Sequence, residues 1–330
     1  MNGGSRRPLS VVAVGEALID LIAPDAPTLA GATEFLRTPG GAPANVAVAV
    51  SRLGSAAAFV GAVGTDSFGQ VLSDMLAGED VDISGLQHVP ERTTLAFVAR
   101  NAGGIPDFVF YRGADAELRP EDVPLELLAS SSFVYVSSMA LLSEPSAAAT
   151  LFAMEAAREA ETLVAVDPNL RPSSWPSLHA ARSAVLPLAS AADVLKVNNE
   201  EARLLAGTGD LDAAMRHLAR DDTLLVVTLG ADGCRWQWSG HRGTIGAPTV
   251  AVRDTTGAGD AFMGALLHGL AEEGFSPSRG TEMDLAGLGE ILRFACAAGA
   301  VACTHAGAMT GLPRREEVEE LLGEADQAPC

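Results

Sequence analysis

The residues most able to do chemistry form one short segment, Asp254-Thr-Thr-Gly-Ala-Gly-Asp260. Gly257, Ala258 and Gly259 allow a tight turn with outward-facing N–H groups, and a helix is predicted to begin near Asp260. Such a turn can bind an anion, for example a phosphoryl group in transfer. The Asp260 carboxylate can take a proton from a hydroxyl nucleophile at the same corner. These residues alone are equally consistent with an ordinary helix start capped by Asp260.

A second glycine-containing segment, Pro39-Gly-Gly-Ala-Pro-Ala-Asn45, precedes a predicted helix of small residues. Gly40 and Gly41 let the backbone approach a ligand closely. Asn45 offers both a donor and an acceptor, which a polyhydroxyl substrate requires. Asp20, after the first predicted strand, offers a carboxylate that can hold sugar hydroxyls. The alternative for the glycine segment is a plain loop-to-helix junction, so the residues alone leave both interpretations open.

Two later segments also have two interpretations each. Asn198 and Glu201, in Asn198-Asn-Glu-Glu201, can form a helix capping box. The same pair can instead hold water on Mg²⁺ and so reach nucleotide phosphates, because Mg²⁺ keeps most of its waters. The segment Thr228-Leu-Gly-Ala-Asp-Gly233, with glycines at Gly230 and Gly233, follows an apolar strand. It can cradle a nucleotide or simply turn the chain.

The composition narrows the class of protein. The chain has 330 residues, is 48% hydrophobic and carries a net charge of −20, so nucleic acid and anionic membranes are not expected partners. Lys196 is the sole lysine. A Walker-A loop is therefore excluded, because that loop needs a lysine after its glycine. Four cysteines without a C-x-x-C pair, and arginines near the amino end without an apolar segment behind them, favour a cytoplasmic location.

Strands and helices alternate from residue 132 onward, which predicts an α/β fold. The expected architecture is a doubly wound, mostly parallel sheet with helices on both faces. An antiparallel hairpin predicted at 93–112, with its turn at 101–106, does not fit this alternation. We predict one domain spanning 1–330, with a small β lid formed by residues 20–38 and 92–114. Ligands of parallel sheets gather beyond the carboxyl ends of the strands, where these candidate residues fall.

Taken in order along the chain, these motifs resemble the ribokinase/PfkB-type carbohydrate kinases, over residues 11–313. The resemblance implies an enzyme that uses ATP and Mg²⁺ to phosphorylate a sugar. It implies that Asp260 is the general base and that Gly257 to Gly259 form an anion hole. It places Asp20, Gly41 and Asn45 at the sugar. It places Asn198, Glu201 and residues 228–233 at the nucleotide. It also implies a monovalent cation such as K⁺ at Asp254, Thr256 and Gly307. It further implies a lid that closes over the sugar and contributes to a homodimer.

Three stretches are most similar to the fructokinase branch: Thr94-Leu-Ala-Phe-Val98 with Phe110-Tyr-Arg-Gly-Ala-Asp115, Ala140-Leu-Leu-Ser-Glu-Pro145, and Asp167-Pro-Asn-Leu-Arg171. They add Phe97, Arg112 and Arg171 to the expected substrate contacts, with fructose 6-phosphate as the expected product. The alternative substrate is 2-keto-3-deoxygluconate, whose carboxylate would favour an arginine fork. The alternative from another class is a non-catalytic sugar- or nucleotide-binding regulator on the same fold. The glycine segments of this chain do not have the G-x-G-x-x-G fingerprint of a nicotinamide oxidoreductase, so that class of enzyme is not expected.

Overall fold

The computed structural model describes residues 9–24, 26–100, 106–275 and 284–327. The strands in these ranges are β1 (Leu9–Val14), β2 (Leu18–Ile22), β3 (Leu36–Gly40), β4 (Ala57–Gly64), β5 (Asp82–Val89), β6 (Leu95–Arg100), β7 (Pro106–Tyr111), β8 (Ser131–Val136), β9 (Leu163–Val166), β10 (Val194–Asn198), β11 (Leu224–Thr228), β12 (Cys234–Trp238) and β13 (His241–Ile245). The α-helices are α1 (Ala42–Arg52), α2 (Ser67–Gly78), α3 (Leu125–Ala129), α4 (Ser146–Glu159), α5 (Leu178–Ser190), α6 (Asn199–Ala206), α7 (Leu211–Leu218), α8 (Ala258–Glu272), α9 (Leu285–Cys303) and α10 (Arg315–Gln327).

Nine strands form the central sheet, in the order β13-β12-β11-β10-β9-β8-β1-β4-β5. All neighbours from β11 to β5 run parallel, whereas β12 and β13 are antiparallel additions at one edge. β4 is buried along its whole length, as expected for a strand covered on both faces. The predicted fold class is confirmed.

Helices cover both faces of this sheet. One apolar cluster packs α1, α2, α8, α9 and α10 against one face, and a second cluster packs α3 to α7 against the other. α1 and α8 approach so closely that a Cβ added to Gly264 would lie 2.5 Å from Ala49 Cβ. α9 is long and apolar enough to cross a membrane, but more than half of it is buried inside the fold, as in a core helix. The small residues Ala49 and Gly264 thus allow the close approach of α1 and α8.

A separate sheet has the order β3-β2-β6-β7. β2 is antiparallel to β3 and parallel to β6, and β6 and β7 form the antiparallel hairpin predicted at 93–112. The turn of that hairpin, residues 101–105, lies outside the described residues. The strands of this lid sheet extend further than predicted, from Leu18 to Gly40, so Gly40 ends a strand rather than lying in a loop.

Four elements were not predicted from the sequence: β5, α3 and the two strands β12 and β13. β5 mixes polar and apolar residues without regular alternation, and α3 is only five residues long, so neither gives a clear periodic signal. The hairpin β12–β13 was missed because its turn, Ser239-Gly240, is a weak hairpin signal. Both turn residues have positive φ, 48° and 78°, which is the geometry that closes a two-residue hairpin.

Candidate active site

Polar side chains follow the central strands at one edge of the sheet. Glu16 comes shortly after β1, Ser137 directly after β8 and Asp167 directly after β9, while Asn198 and Thr228 end β10 and β11. α1 and α8 both begin at this same edge. The predicted gathering of candidate residues beyond the carboxyl ends of the strands is therefore observed.

Asp260 lies in the first turn of α8 and is 7% exposed. The N-cap of α8 is Gly257, with φ of 82°, so the interpretation of Asp260 as the N-cap is wrong. Glycine is needed there because a Cβ would lie 2.9 Å from the Ala308 carbonyl oxygen. Asn45, from α1, donates from Nδ2 to Asp260 Oδ2 at 2.7 Å. The helix start and the carboxylate thus form one corner, as the segment predicted.

The pKa of Asp260 is raised to about 6: burial is the largest cause and the charge of Asp167 adds to it, while the Asn45 hydrogen bond and the charges of Lys196 and Arg171 oppose these effects. A carboxylate with this pKa is mostly ionised at neutral pH and yet is a stronger base than an exposed one. This combination suits a group that must accept a proton from a hydroxyl.

Lys196 lies in the middle of β10 and donates from Nζ to Asp167 Oδ2 at 2.6 Å. Both side chains are almost fully buried, at 6% and 2% exposure. Burial alone would lower the pKa of Lys196, but the charges of Asp167 and Glu201 outweigh it and the pKa is raised. The ammonium also lies beside the glycine turn, since a Cβ on Gly259 would be 3.0 Å from Nζ. A positive charge therefore lies behind the anion hole that the sequence predicted.

The candidate sugar residues meet where the lid sheet joins α1. Gly41 is the N-cap of α1, with φ of 103°, and a Cβ on Gly40 would lie 3.1 Å from Asp20 Cγ. Phe97 packs edge-on against Phe35 and Tyr111, with ring centroids 5.2 and 5.5 Å apart. Among the described residues, Asn45 Oδ1 is a buried atom without a hydrogen-bond partner. It is therefore available to accept a hydroxyl hydrogen.

The two candidate arginines are held by neighbouring groups. Arg112 donates to Asp115 Oδ2 from Nε at 3.1 Å and from Nη2 at 2.5 Å, and to Ser143 Oγ from Nη1 at 2.9 Å. Arg171 donates from Nη1 to Asn169 Oδ1 at 2.5 Å. Asp167 is engaged as well, because its Oδ1 accepts from the Asn169 N–H at 3.2 Å in addition to the Lys196 contact. These bonds fix the orientation of the guanidinium groups before any ligand arrives.

The predicted capping box at α6 is confirmed. Asn198 Oδ1 accepts from the N–H groups of Glu200 and Glu201, and Glu201 Oε2 accepts from the Asn198 N–H at 2.9 Å. Glu201 Oε1 accepts from the Leu170 N–H at 2.7 Å. Burial, followed by the Asp167 charge, raises the pKa of Glu201. Each carboxylate oxygen already holds one backbone donor, so this site suits a metal held through water better than one bound directly.

The remaining candidates form two turns. Thr228 to Gly233 form a tight turn between β11 and β12, in which Gly230 and Gly233 have φ of 63° and 87°. Asp254, Thr256 and Gly307 come together as predicted. Asp254 Oδ1 accepts from the Thr256 N–H and hydroxyl, and Oδ2 accepts from the Gly307 N–H at 3.0 Å. No cluster of three or more His, Cys, Asp or Glu able to hold a metal ion was found among the described residues.

Sequence reasoning missed Glu16, Ser137 and the site role of Lys196. Glu16 and Ser137 directly follow Gly15 and Val136, so proximity to a strand end was the available signal. Lys196 gave no such signal, because it lies inside a strand and its importance depends on Asp167 in the neighbouring strand.

The sequence matches the pfkB family of carbohydrate kinases over residues 8–315. Together with the parallel sheet, the lid sheet and the glycine turn before a buried carboxylate, this match shows that the chain belongs to that family. It is 42% identical to probable fructokinase-4 of Arabidopsis thaliana, over 94% of this chain and 96% of the relative.

Solved structures give the same result. The chain superposes on a fructokinase from Xylella fastidiosa with bound ATP with a TM-score of 0.88, 35% identity and coverage of 96% of this chain and 99% of that one. It superposes on a fructokinase from Vibrio cholerae O395 in a form binding fructose, ADP and calcium ion, with a TM-score of 0.83, 34% identity and coverage of 94% and 98%. Nearly the whole chain therefore shares its fold with proteins that bind a sugar and a nucleotide.

Proposed function

We propose that the chain is an ATP-dependent fructokinase that converts fructose to fructose 6-phosphate. The observation that carries this proposal is the buried Asp260 carboxylate, held by Asn45 beside the glycine turn at the start of α8. Asp260 takes the proton of the sugar's primary hydroxyl as its oxygen forms a bond to the γ-phosphorus. The bond from that phosphorus to the β-phosphate oxygen breaks, and ADP leaves.

The residues of the site divide this work. N–H groups of residues 257–259 stabilise the charge on the transferring phosphoryl group, with the positive end of α8 and the Lys196 ammonium behind them. Gly40, Gly41 and Asp20 line the sugar position. The unpaired Asn45 Oδ1 accepts a hydrogen bond from a sugar hydroxyl. Phe97, Arg112 and Arg171 complete the sugar contacts. The turn from Thr228 to Gly233 receives the nucleotide.

Two cations belong to this proposal. Asn198 and Glu201 would hold Mg²⁺ through water near the nucleotide phosphates, where the ion would offset phosphate charge. Asp254, Thr256 and Gly307 would border a monovalent cation such as K⁺. Support comes from a double mutant of the Vibrio cholerae fructokinase, whose crystal form binds fructose, ADP and potassium ion.

We also propose that the lid sheet closes over the sugar and joins two copies of the chain in a homodimer. Support comes from the apolar side chains that the lid exposes: Leu36 is 58% exposed and Tyr111 63% exposed, and Phe35 and Val109 lie nearby.

The thiols of Cys234, Cys296 and Cys303 are free, which supports a reducing, cytoplasmic location.

The experiment that tests the function is a substrate panel. We expect ADP release from Mg²⁺-ATP to require a sugar, with kcat/KM for fructose at least ~10-fold above that for ribose, glucose or 2-keto-3-deoxygluconate, because the site pairs its buried polar groups with the hydroxyls of one sugar. Parallel reactions with and without K⁺ measure the cation effect. A preference for the keto-acid would replace fructose and keep the kinase assignment. No ADP release with any sugar would favour a binding protein on the same fold.

The pH dependence of the reaction follows from Asp260. Because its pKa lies at about 6, we expect kcat/KM for fructose to fall by about tenfold per pH unit below that value, as the base becomes protonated. The same raised pKa means that folding takes up a proton, so this group contributes stability at low pH that is lost as pH rises through about 6. Activity should therefore rise and this part of the stability should fall as pH increases from about 4 to about 6. A flat activity profile over that range would argue against Asp260 as the base.

A further inference from the structure

Glu16 is a buried carboxylate, 4% exposed, that the reaction as described does not use. Its Oε1 accepts from the Ala42 N–H at 3.2 Å, and its Oε2 accepts from the Ser137 hydroxyl at 3.1 Å. One side chain thus joins the end of β1, the start of α1 and the end of β8. The partners are separated by 26 and 121 residues along the chain, so these contacts belong to the tertiary fold.

The start of α1 has no local side-chain cap. Its N-cap is Gly41, which has no side chain, and Pro43 in the first turn has no N–H group. The Asn45 N–H already donates to the Gly41 carbonyl oxygen at 2.8 Å. Glu16 therefore supplies from a distant strand what an N-cap aspartate or serine supplies locally. Its negative charge also lies at the positive end of the helix dipole.

The backbone around Glu16 packs directly on this helix start. Gly15 has φ of 146°, and a Cβ on it would lie 2.8 Å from Pro43 Cγ. Gly41 has φ of 103°, and a Cβ on it would lie 3.0 Å from Ala17 Cα. Since residues 15–17 contact both the Pro43 ring and the Gly41 backbone, the position of residues 15–17 determines the position of the Gly41 turn.

The same helix start holds the catalytic base. Asn45, near the end of the first turn of α1, donates to Asp260 Oδ2 at 2.7 Å. Contacts therefore run without a gap from Ser137 through Glu16 and Ala42 to Asn45 and Asp260. We propose that Glu16 is a positioning residue, which fixes the sugar-binding turn Gly40–Gly41 and the Asn45 contact to Asp260. This inference rests on the proposed function and extends it to a residue that touches neither substrate.

The ionisation of Glu16 provides a second way to test its positioning role. Burial and then the Asp115 charge raise its pKa to about 7, against the opposing effects of a backbone hydrogen bond, Ser137 and Arg112. Ionised Glu16 can accept both of its hydrogen bonds, whereas protonation turns one oxygen into a donor. Replacement by glutamine removes this ionisation and keeps the shape of the side chain.

The experiment compares Glu16→Ala and Glu16→Gln with the wild type in steady-state kinetics. We expect Glu16→Ala to raise KM for fructose at least ~10-fold and to lower kcat, because small displacements of a reacting geometry cost up to about 10²-fold. KM for ATP should stay unchanged, since the nucleotide turn lies on β11 and β12. Glu16→Gln should restore most of the fructose KM, and its pH profile should lose an ionisation near 7.

A matched control separates positioning from stability. Asp193 is a half-buried carboxylate that, like Glu16, accepts from a backbone N–H: it accepts from the Val164 N–H at 2.7 Å, at the opposite edge of the sheet. Asp193→Ala should lower the free energy of unfolding and leave KM for fructose unchanged. Ser137→Ala, which removes only one partner of Glu16, should raise the fructose KM by a smaller factor and provides the test if Glu16→Ala does not fold.

A wild-type fructose KM in folded Glu16→Ala would overturn the inference. If Glu16→Ala does not fold, a wild-type fructose KM in Ser137→Ala, together with an ionisation near 7 that persists in Glu16→Gln, would overturn it. Failure of the proposed function is recognised separately, because the wild type itself would then release no ADP with fructose. If the wild type prefers another sugar, the KM for that sugar replaces the KM for fructose in the same comparison of variants. In every case calorimetric binding of the sugar to Glu16→Ala reports on the turn without requiring turnover.

Discussion

Asp260→Asn should lower kcat for fructose by about 10²–10⁴-fold, the usual contribution of a general base. The substitution keeps the shape of the side chain and one oxygen for the Asn45 Nδ2–H, so the binding of fructose should change little. Coupled measurement of ADP release gives kcat, and calorimetry gives the fructose affinity. The two measurements together distinguish a lost base from a damaged sugar site.

The control for this variant is Asp193→Asn, which makes the same chemical change at the opposite edge of the sheet, where a carboxylate accepts from the Val164 N–H. It should leave kcat unchanged. If Asp260→Asn retained wild-type turnover, the proton would be leaving by another route and the assignment of Asp260 would be wrong. Equal losses in both variants would point to a general effect on folding.

Lys196→Met should lower the free energy of unfolding by about 3–5 kcal/mol, because it leaves the Asp167 carboxylate buried without its partner. The side chains of this pair are 6% and 2% exposed, so water cannot replace the ammonium. Urea denaturation followed by circular dichroism measures the change. Activity should fall as well, since the positive charge behind the Gly257–Gly259 turn is lost.

Two further variants test whether burial of the Lys196–Asp167 ion pair is the cause of this loss of stability. The double variant Asp167→Leu with Lys196→Met should regain most of the lost stability, because a buried ion pair replaced by apolar side chains costs little. Arg220→Met breaks an exposed pair with Asp222, whose side chains are 43% and 65% exposed, and should cost ~1 kcal/mol or less. Comparable losses in Lys196→Met and Arg220→Met would show that burial is not the cause.

The local parts of the site could be predicted from the sequence. The glycines before Asp260, the capping box of Asn198 and Glu201, and the alternation of strands and helices depend on residues close together in the chain. Backbone conformation and short-range hydrogen bonding determine these features, and the residue types that permit them are few. α8 begins at Ala258, two residues before the predicted start near Asp260, and Gly257 rather than Asp260 provides the N-cap.

The long-range parts could not be predicted. The contact of Glu16 with the Ala42 N–H depends on how closely residues 15–17 pack on the start of α1. The contact of Lys196 with Asp167 depends on β9 and β10 being neighbours. Neither pair has a spacing that distinguishes it from many other acidic and basic residues. The same holds for Asn45, whose Oδ1 is recognised as an open acceptor only when its surroundings are known. Burial and partners turn these ordinary side chains into parts of a site.

The burial of Lys196 has a consequence for the chemical reactivity of the whole molecule. Since it is the only lysine of the chain, the folded protein offers reagents directed at ε-amines no accessible target. Acylation, reductive methylation, cross-linking and isopeptide attachment at an ε-amine are therefore prevented as long as the sheet is intact. Unfolding exposes one ε-amine per chain, so the lysine beside the Gly257–Gly259 turn also marks chemically whether the molecule is folded.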